Sequence, residues 1–390
     1  MKIGIAGPME LESLNGLEGY KLPIGYPFPF ISQMINGLLN HGHEVIAYTL
    51  SWEIDEPKVY HGANGLTLCV ARGFQHSGRH FYRYEVKDLV ELMSDNKPDV
   101  IHAHWTYQFA WAALEINVPH VISIHDLASV VLMNKLDPYR MVRWIMNWKT
   151  LNSAKELIAN SSYTYQHLSN KTKRKTRIVN NFFPDRLNNI LPAIKKEKYI
   201  ITVSNAFDRL KNIKTSLKAF SEVHKQFPDY EYYLVGSCMG VDGPAYKYAI
   251  RNGLSAGVRF VGPKKYSDII DLVKNATLMV HPSKEESFGL SVLEAMVLGT
   301  PVVGGNKSGN IPNLLEHKKY GILCNVRDPK SISKWIIYLI ENKDILKKLA
   351  KNARAFAIKN FSQDIIIAQH LKIYQEVIGK SSKKKLVAVV

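Results

Sequence analysis

Two glutamates in the stretch "HPSKEESFGLSVLEAM" have the type and spacing of ligand-binding side chains. Glu286 comes just before the tripeptide Phe288-Gly289-Leu290, and Glu294 follows in a run that is otherwise almost wholly apolar. The pattern predicts a loop followed by a helix. The first amides of that helix would be free to bind an anion, because they lack intrahelical partners and the helix dipole favours a phosphate there. Gly289 would let the ligand approach the backbone closely.

The second glutamate would lie about one and a half turns into this helix, among apolar neighbours. Burying a carboxylate there without a partner would cost several kcal/mol, so hydrogen-bond donors should face Glu294. Two hydroxyls of a sugar or a ribose would serve. An ion pair with a buried Lys or Arg, or a helix edge open to water, would also account for the residue. The spacing favours the ligand over these two alternatives.

Histidines occur in two other apolar runs, "VIHAHW" and "SIHDL", where strands are expected to end. His102 and His104 would face the same side of a strand, which is a feature of some metal sites. A third ligand at suitable spacing is not evident, so the sequence does not predict a metal. The chain also has no Asp-x-Asp sequence and no Walker-type loop, so we expect no metal-bridged diphosphate and no cofactor.

Short apolar runs alternate with helix-periodic segments along the whole chain, which predicts parallel sheets with helices on both faces. The alternation occurs twice, and "LPAIKKEKY" (191–199) has the composition of a linker. We therefore predict an α/β protein with two Rossmann-like, doubly wound domains, at residues 1–190 and 198–362. A helix at about 363–379 is expected to pack back on the first domain. Ligands of such sheets collect at the carboxyl ends of the strands.

Composition and charge narrow the function. The 390 residues suit two domains of roughly 150–200 residues each. The three cysteines fit neither a disulfide framework nor a metal site. No signal peptide precedes the first strand, and no apolar run could span a membrane. A cytoplasmic location is therefore expected. The net charge of +17 divides into −3 for residues 1–150 and +20 for residues 151–390. Such a surface attracts phosphate groups, although surface lysines also serve solubility alone.

The stretch "PSKEESFGLSVLEAM" resembles the signature of the family-4 retaining glycosyltransferases, the group 1 enzymes of the GT-B fold. The family pattern is Pro-Ser, Glu-x-Phe-Gly-Leu, three residues, and Glu-Ala-Met. The segments "YYLVGS", "VRFVG", "SGNIPNLL", "YGILCN" and "NARAFAIKNFS" follow in the family's order and spacing. The resemblance covers essentially the whole chain and is strongest in residues 200–361. It implies two domains facing across a cleft, with a nucleotide-sugar donor mainly on the second.

The resemblance also implies roles for individual residues. Glu286 would contact hydroxyls of the donor sugar, Glu294 would hold the nucleotide ribose, and the amides at Phe288, Gly289 and Leu290 would receive the diphosphate or the sugar. Ser283 belongs to the same donor-binding motif.

A lysine at the start of a second-domain helix, in "VSNAFDRLKNIKTSLKAF", also matches the family. Lys211 could neutralise a departing diphosphate, or it could be an ordinary solvated lysine. The family usually has an arginine where this chain has Ala206, and Arg209 is the candidate substitute. In the first domain, His125 is expected near the donor sugar and the reacting carbon. For His104, an acceptor-side role and a satisfied strand-end histidine stay open as alternatives.

The first glycine-rich loop departs from the family. Many members have Gly-Gly before the first long helix, and the corresponding residues here are Gly25 and Tyr26, in "LPIGYPFPFISQM". Gly25 would remain close to the donor phosphates. Tyr26 and the aromatic residues after it predict an acceptor pocket with aromatic platforms, which suit sugar rings. A differently packed loop is the alternative.

A basic and aromatic segment spans residues 137–177. Trp144 and Trp148 would share one helix face with Met141 and Ile145, and the cluster "NKTKRKTR" follows. Such a helix can lie on an anionic membrane surface. A core-facing helix with a solvated basic side is the alternative. The tail "GKSSKKKLVAVV" (379–390) is a second basic cluster.

The sequence therefore predicts a metal-independent, retaining glycosyltransferase that moves a sugar from a UDP- or GDP-type donor to a glycan or lipid-linked acceptor. A bacterial surface-polysaccharide pathway and a peripheral place on the cytoplasmic membrane are expected from the family's habits. A nucleotide-sugar 2-epimerase of the same architecture is the alternative enzyme. A nucleic-acid-binding protein is not expected, because the basic clusters join no recognisable nucleic-acid module.

Overall fold

The structure is a computed structural model that describes residues 1–387, with side chains up to Ser381. These residues form two compact units. The first comprises Met1–Asn180 together with the chain from Gln363 onward, and the second is Asn181–Ser362. The division falls earlier than the boundary at 190 expected from the sequence.

The reason for the earlier division lies in the first residues of the second unit. Phe183 and Leu187 are fully buried in its hydrophobic core, so they cannot belong to a linker or to the first unit. The predicted linker at 191–199 also overlaps the first strand of the second sheet, which begins at Glu197.

In the part of the first unit that the structure describes, eight strands form one sheet in the order β3-β4-β2-β1-β5-β6-β7-β8. Only β3 is antiparallel, to β4. Short apolar runs of the sequence correspond to six of these strands, and the two edge strands, β3 and β8, were not predicted. The strands are β1 (Lys2–Ala6), β2 (Glu44–Ser51), β3 (Lys58–His61), β4 (Leu66–Arg72), β5 (Val100–His104), β6 (His120–Ile124), β7 (Leu157–Ala159) and β8 (Thr176–Ile178).

The helices of the first unit cover both faces of this sheet. Two begin with proline in the first turn, where its missing N–H costs nothing, and Asp137 caps the helix Pro138–Ser153 by accepting a hydrogen bond from the amide of Arg140. The helices are α1 (Pro29–Asn40), α2 (Arg83–Asp95), α3 (Gln108–Glu115), α4 (Ala128–Asn134), α5 (Pro138–Ser153), α6 (Ser162–Gln166) and α7 (Asn170–Lys173), with 3-10 turns at Leu11–Ser13 and Ser77–His80.

Across the described residues of the second unit, six parallel strands form a sheet in the order β11-β10-β9-β12-β13-β14. The chain moves outward from β9 in one direction and then from β12 in the other, so the carboxyl ends of these two central strands mark the switch point where ligands of such sheets bind. The strands, all expected from the sequence, are β9 (Glu197–Val203), β10 (Glu231–Val235), β11 (Val258–Gly262), β12 (Ala276–His281), β13 (Val302–Gly305) and β14 (Ile322–Cys324).

The helices of the second unit pack on both faces of its sheet. The most apolar of them, α11, contributes Val292, Leu293, Ala295 and Met296 to the core. The helices are α8 (Ile213–Gln226), α9 (Pro244–Arg251), α10 (Tyr266–Asn275), α11 (Leu290–Val297), α12 (Ile311–Leu314), α13 (Pro329–Glu341) and α14 (Lys343–Phe361), with 3-10 turns at Asp185–Leu187 and Glu316–Lys318.

The last helix, α15 (Gln363–Val387), returns to the first unit and contacts α1, β5 and β6. Ile367 and Tyr374 are fully buried there. Most of the basic tail cluster lies beyond the described side chains, and residues 388–390 lie outside the described residues. None of the helices between residues 1 and 387 has both the length and the apolarity of a transmembrane span.

Candidate active site

The loop between β12 and α11 presents the first turn of α11 at the carboxyl edge of the second sheet. Gly289 precedes the helix with a φ of 101°, and a Cβ there would lie 2.6 Å from Ile311 Cδ1. The glycine is therefore required by its left-handed backbone and by packing, whether or not a ligand approaches. Phe288 is 2% exposed and anchors the loop in the core, so only its backbone can face a ligand. Leu290 begins the helix, and the amides of Leu290 and Ser291 precede the first intrahelical bonds, which the amides of Val292 and Leu293 donate to the Gly289 carbonyl.

An ion pair joins the two central strand-end loops of the second unit. Lys211 Nζ lies 2.6 Å from Glu286 Oε1, and His281 Nε2 lies 3.4 Å from the same oxygen. Burial alone would raise the pKa of the Glu286 carboxyl, but the charge of Lys211 and the neighbouring His281 outweigh burial and hold that pKa below its ordinary value. Glu286 is therefore ionised at neutral pH, as an acceptor of sugar hydroxyls would need to be.

The segment after β13 fixes the backbone of this carboxylate. The Glu286 carbonyl accepts a hydrogen bond of 2.8 Å from the amide of Asn310, whose side-chain amide donates to the Phe288 carbonyl at 3.2 Å. Ser308 Oγ donates to the Ser283 carbonyl at 2.5 Å. Ser283 is 3% exposed, and the donor contact expected for it stays a prediction.

Asn212, which was not predicted from the sequence, anchors the loop after β9 that carries Lys211. Its side-chain amide donates to the carbonyls of Pro282 at 3.0 Å and Val326 at 2.7 Å, and its backbone is left-handed, with a φ of 57°. A buried asparagine tolerates this conformation better than most residues and satisfies two carbonyls at once. The adjacent Lys211 is thereby fixed beside Glu286.

Further cations lie near the same edge of the sheet. Arg209 is exposed in the loop that carries Lys211. Burial and the charges of Arg327 and Arg209 lower the pKa of Lys284, which places these three side chains in one electrostatic neighbourhood. Lys284 and Arg327 were not singled out from the sequence, although Lys284 stands inside the quoted motif. The cluster attracts an anion to the start of α11.

The partner of Glu294 is a tyrosine from α10. The Tyr266 hydroxyl donates to Glu294 Oε1 at 2.6 Å, and the guanidinium of Arg186 lies 4.6 Å from the Tyr266 ring centroid. Burial raises the pKa of Glu294 to about 7, and the hydrogen bond from Tyr266 and the charge of Arg186 limit the rise. In the free protein the carboxylate is therefore held by a phenol, which the sequence reasoning did not anticipate.

Three histidines lie close together at the carboxyl ends of β5 and β6 in the first unit. His104 Nδ1 is 2.9 Å from His125 Nε2, and their rings are stacked. His104 is 1% exposed, and its Nε2 has no hydrogen-bond partner within the described residues, so the acceptor-side role expected for it stays a prediction. His125 is 9% exposed and packs against Trp105. Burial, with the nearby His370, lowers the pKa of His125 to about 3.

His102 continues this group toward α15. Its Nδ1 lies 2.7 Å from the Tyr374 hydroxyl and its Nε2 lies 2.7 Å from Ser123 Oγ, so both ring nitrogens are satisfied. Burial holds the pKa values of His102 and His104 well below the ordinary value. In the described part of the chain, no group of three or more His, Cys, Asp or Glu side chains is arranged to hold a metal ion.

The loop before α1 is packed tightly at its glycine and lined by aromatic rings after it. A Cβ on Gly25 would lie 2.6 Å from the Met9 carbonyl oxygen, which also accepts a hydrogen bond from the amide of Tyr26. Gly25 is thus a packing requirement of the loop. The Tyr26 ring packs edge-on against Trp52, with centroids 5.0 Å apart, and lines a cavity of the first unit.

Two family models match successive parts of the chain. The model described as Glycosyl transferases group 1 matches residues 186–356, and the model described as Glycosyltransferase Family 4 matches residues 30–185. The N-acetyl-alpha-D-glucosaminyl L-malate synthase of Bacillus anthracis is 24% identical over 371 residues, which are 90% of this chain and 93% of that protein. A D-inositol 3-phosphate glycosyltransferase of Paenarthrobacter aurescens is 25% identical over 382 residues, covering 90% and 92%.

Solved structures share the fold. The sucrose-phosphate synthase of Thermosynechococcus elongatus superposes with a TM-score of 0.78 at 18% identity, covering 97% of this chain and all of that one. The Anabaena protein HepE, solved in complex with UDP and glucose, gives a TM-score of 0.71 at 19% identity, covering 96% and 100%. The chain belongs to the family 4, group 1 glycosyltransferases, which have the GT-B fold and use nucleotide-sugar donors.

Proposed function

We propose that this protein is a retaining glycosyltransferase that moves a sugar from a UDP- or GDP-type donor to a glycan or lipid-linked glycan. The observation that carries the proposal is the ion pair of Lys211 and Glu286 beside the first turn of α11. It puts a cation and an ionised carboxylate next to free helix amides, and a nucleotide sugar offers a diphosphate and hydroxyls to these groups. The two sequence relatives are named as a synthase and a glycosyltransferase, and neither is named as an epimerase, so the epimerase alternative has no support.

Donor binding would redistribute the bonds of this pair. The diphosphate competes with Glu286 for the ammonium of Lys211, while the sugar hydroxyls donate to the carboxylate. Arg209, Lys284 and Arg327 add positive charge around the same anion. The charge that develops on the departing diphosphate is then stabilised by groups already in place, and this preorganisation is a major source of catalysis in such sites.

Glu294 would take the ribose. Its carboxyl already accepts a hydrogen bond from Tyr266, so it is oriented before the nucleotide arrives. Two ribose hydroxyls would donate to the carboxylate and favour its ionised form, because hydrogen bonds to a charged group lower the pKa of an acid. Nucleotide binding should therefore release the proton that Glu294 holds near neutral pH.

For the transfer step we propose a same-face route. The acceptor oxygen bonds to the anomeric carbon as the bond from that carbon to the diphosphate breaks, and the acceptor proton passes to the departing phosphate. The product keeps the donor's anomeric configuration, and neither a second carboxylate nor a metal takes part. His125 keeps, as a proposal, the catalytic role that the family resemblance implies.

Association with a membrane is part of the proposal. On α5, the side chains of Met141, Trp144, Ile145 and Trp148 are 38–62% exposed and share one face, so the core-facing alternative does not hold for them. The arginines of α5 are already paired, Arg140 with Asp137 and Arg143 with Asp126. The helix would thus insert apolar side chains at the interface more than it would attract lipid charge.

Pelleting with vesicles tests this part. Trp144→Ser with Trp148→Ser should reduce binding to phosphatidylglycerol vesicles, while Tyr338→Ser, an exposed aromatic residue of the second unit, serves as the matched control. We place the enzyme on the cytoplasmic side, in bacterial surface-polysaccharide synthesis. The support for this setting is the family resemblance and the bacterial origin of the two relatives named above, whose names specify other acceptors.

A thermal-shift panel tests the donor assignment. Wild-type protein is melted with UDP-glucose, UDP-N-acetylglucosamine, UDP-galactose or GDP-mannose, since ligands of the native state raise its unfolding temperature by mass action. At least one donor should raise the melting temperature of the wild type and fail to do so for Lys211→Ala. Lys218→Ala, at an exposed position of the helix that follows the Lys211 loop, should respond like the wild type. No shift with any donor would contradict the proposal.

A further inference from the structure

Two cavities of the first unit share four aromatic side chains. One has a volume of about 680 Å³ and the other about 490 Å³, and Tyr26, Trp52, Tyr82 and Tyr139 line both. Because the same rings bound both spaces, the cavities are parts of one concavity, here named the aromatic recess. Its size is that of pockets that hold small organic ligands.

Two of these rings present open surface. Trp52 is 50% exposed and Tyr139 is 45% exposed. Trp52 is nevertheless fixed, because its Nε1 donates to the Phe74 carbonyl at 3.4 Å and Gly73 packs so closely that a Cβ there would lie 2.8 Å from the indole. A rigid, exposed ring in a concavity offers a flat apolar face with little entropy to lose on binding. The C–H face of a sugar ring is complementary to such a surface.

A buried carboxylate lines the larger part of the recess and has an unused oxygen. Glu85 is 1% exposed and sits in the first turn of α2. Its Oε1 accepts hydrogen bonds from Ser77 Oγ and from the amide of Phe74. Its Oε2 has no hydrogen-bond partner within the part of the chain that the structure describes. Burying a carboxylate oxygen without a hydrogen-bond donor costs free energy. A ligand hydroxyl that donates to Glu85 Oε2 would remove this cost and would therefore bind favourably.

Two of the three arginines that line the recess already form ion pairs. Arg140 pairs with Asp137, and Arg143 pairs with Asp126 at 3.3 Å while its guanidinium lies 3.8 Å from the Tyr107 ring centroid. Arg79 is exposed to solvent. A phosphate or carboxylate entering the recess would therefore meet the charge of Glu85 and arginines that already have partners. This charge arrangement disfavours an anionic ligand.

We propose that the aromatic recess binds an uncharged hexose ring of the acceptor, stacked on Trp52 and Tyr139, with one of its hydroxyls donating to Glu85 Oε2. The inference rests on the proposed function, since it names the acceptor of that reaction. It separates this protein from the two relatives whose names specify L-malate and D-inositol 3-phosphate, both anions.

Saturation-transfer difference NMR on the full chain, without donor, tests the inference. The probes are the methyl α-glycosides of glucose, galactose, mannose and N-acetylglucosamine, together with L-malate and D-inositol 3-phosphate. At least one glycoside should receive saturation at its ring protons and bind more tightly than either anion. Its dissociation constant should rise about tenfold in Glu85→Gln, which loses a charge-assisted hydrogen bond.

Tyr139→Ala is the second variant, because this side chain is exposed and its removal leaves the core intact. It should weaken the same glycoside by about tenfold, while Tyr338→Ala, an exposed tyrosine of the second unit, leaves the affinity unchanged. Binding of no glycoside, tighter binding of either anion, or unchanged affinity in folded Glu85→Gln and Tyr139→Ala would overturn the inference. A nucleotide-sugar thermal shift on the same sample separates the two claims. Donor binding without glycoside binding overturns the recess alone. Glycoside binding without donor binding overturns the proposed function and leaves the recess as a sugar site with no acceptor role.

Discussion

Lys211 Nζ and Glu286 Oε1, 2.6 Å apart, join the loops that follow the two central strands of the second sheet. Lys211 is proposed to bind the diphosphate of the donor and Glu286 the hydroxyls of its sugar. In the free protein these two side chains bind each other. Each is thereby oriented, and Glu286 stays ionised despite its burial. The ion pair must open when the donor binds, so part of the binding energy is spent in exchanging one set of charge contacts for another.

Removing the carboxylate tests its proposed contact with the donor sugar. Glu286→Ala should lower kcat/KM about 100-fold or more, because hydroxyl contacts that strengthen in the transition state are lost. Glu286→Gln keeps the shape and should fall between this variant and the wild type. Glu285→Ala, one residue earlier, is the matched control and should stay near the wild type. Steady-state kinetics on the donor identified by thermal shift is the measurement, and a Glu286→Ala rate near that of the wild type would refute the role.

The raised pKa of Glu294 makes ligand-free stability depend on pH. Because the folded pKa of about 7 lies above the ordinary value of 4.5, the folded state binds the proton more tightly than the unfolded chain. The stability that Glu294 contributes is complete below pH 4.5 and is lost as the pH rises through 7. Glu294→Gln should therefore be more stable than the wild type to urea at pH 8, by roughly 3 kcal/mol, and should be close to the wild type at pH 5. Parallel pH profiles for the two proteins would contradict the assignment.

The buried histidines of the first unit make folding stability depend on pH in the opposite direction, so that stability falls as the pH is lowered. Their folded pKa values lie below the ordinary 6.5, so protonation favours the unfolded chain. Their stability contribution is complete above pH 6.5 and is lost as the pH falls below it, at about 1.4 kcal/mol per pH unit for each histidine. His370→Gln should reduce the change in the free energy of unfolding between pH 5 and pH 7 by the contribution of one histidine, as measured by urea unfolding. His61→Gln, at an exposed position, should not change it.

Gly289 combines a left-handed backbone with a site that has no room for a side chain. Gly289→Ala should destabilise the protein by about 1–3 kcal/mol, because strain and the clash with Ile311 add. Gly253 has a φ of 65° but nothing within 4 Å of its Cβ position. Gly253→Ala therefore reports the backbone cost alone and should lose less stability. Equal losses in the two variants, measured by urea unfolding, would show that packing at Gly289 contributes nothing.

The fold was predictable where burial leaves a pattern in the sequence. The six strands of the second sheet each read as an apolar run, because strands of a parallel sheet are covered on both faces. The edge strands β3 and β8 left no such run. Lys58 and Val59 of β3 are exposed, and β8 has three residues.

The site was predictable only in part. Its residue types follow from the motif, but the contact of Lys211 with Glu286 spans 75 positions and depends on β9 and β12 being neighbours. The phenol beside Glu294 depends on how α10 packs against α11. The tautomer-coupled pair of His104 and His125 likewise needs the register of β5 and β6. Such contacts follow from topology and packing, which residue spacing does not encode.

The most direct test of the central claim is time-resolved proton NMR of the enzyme with an α-linked nucleotide sugar and its acceptor. We expect the donor's anomeric signal to decay as nucleoside diphosphate accumulates, and the first glycosidic signal of the product to be that of the α anomer. Lys211→Ala should slow this decay by about 100-fold, and Lys218→Ala should leave it unchanged. A β-linked first product, or equal rates for wild type and Lys211→Ala, would contradict a retaining transferase built on the pair of Lys211 and Glu286.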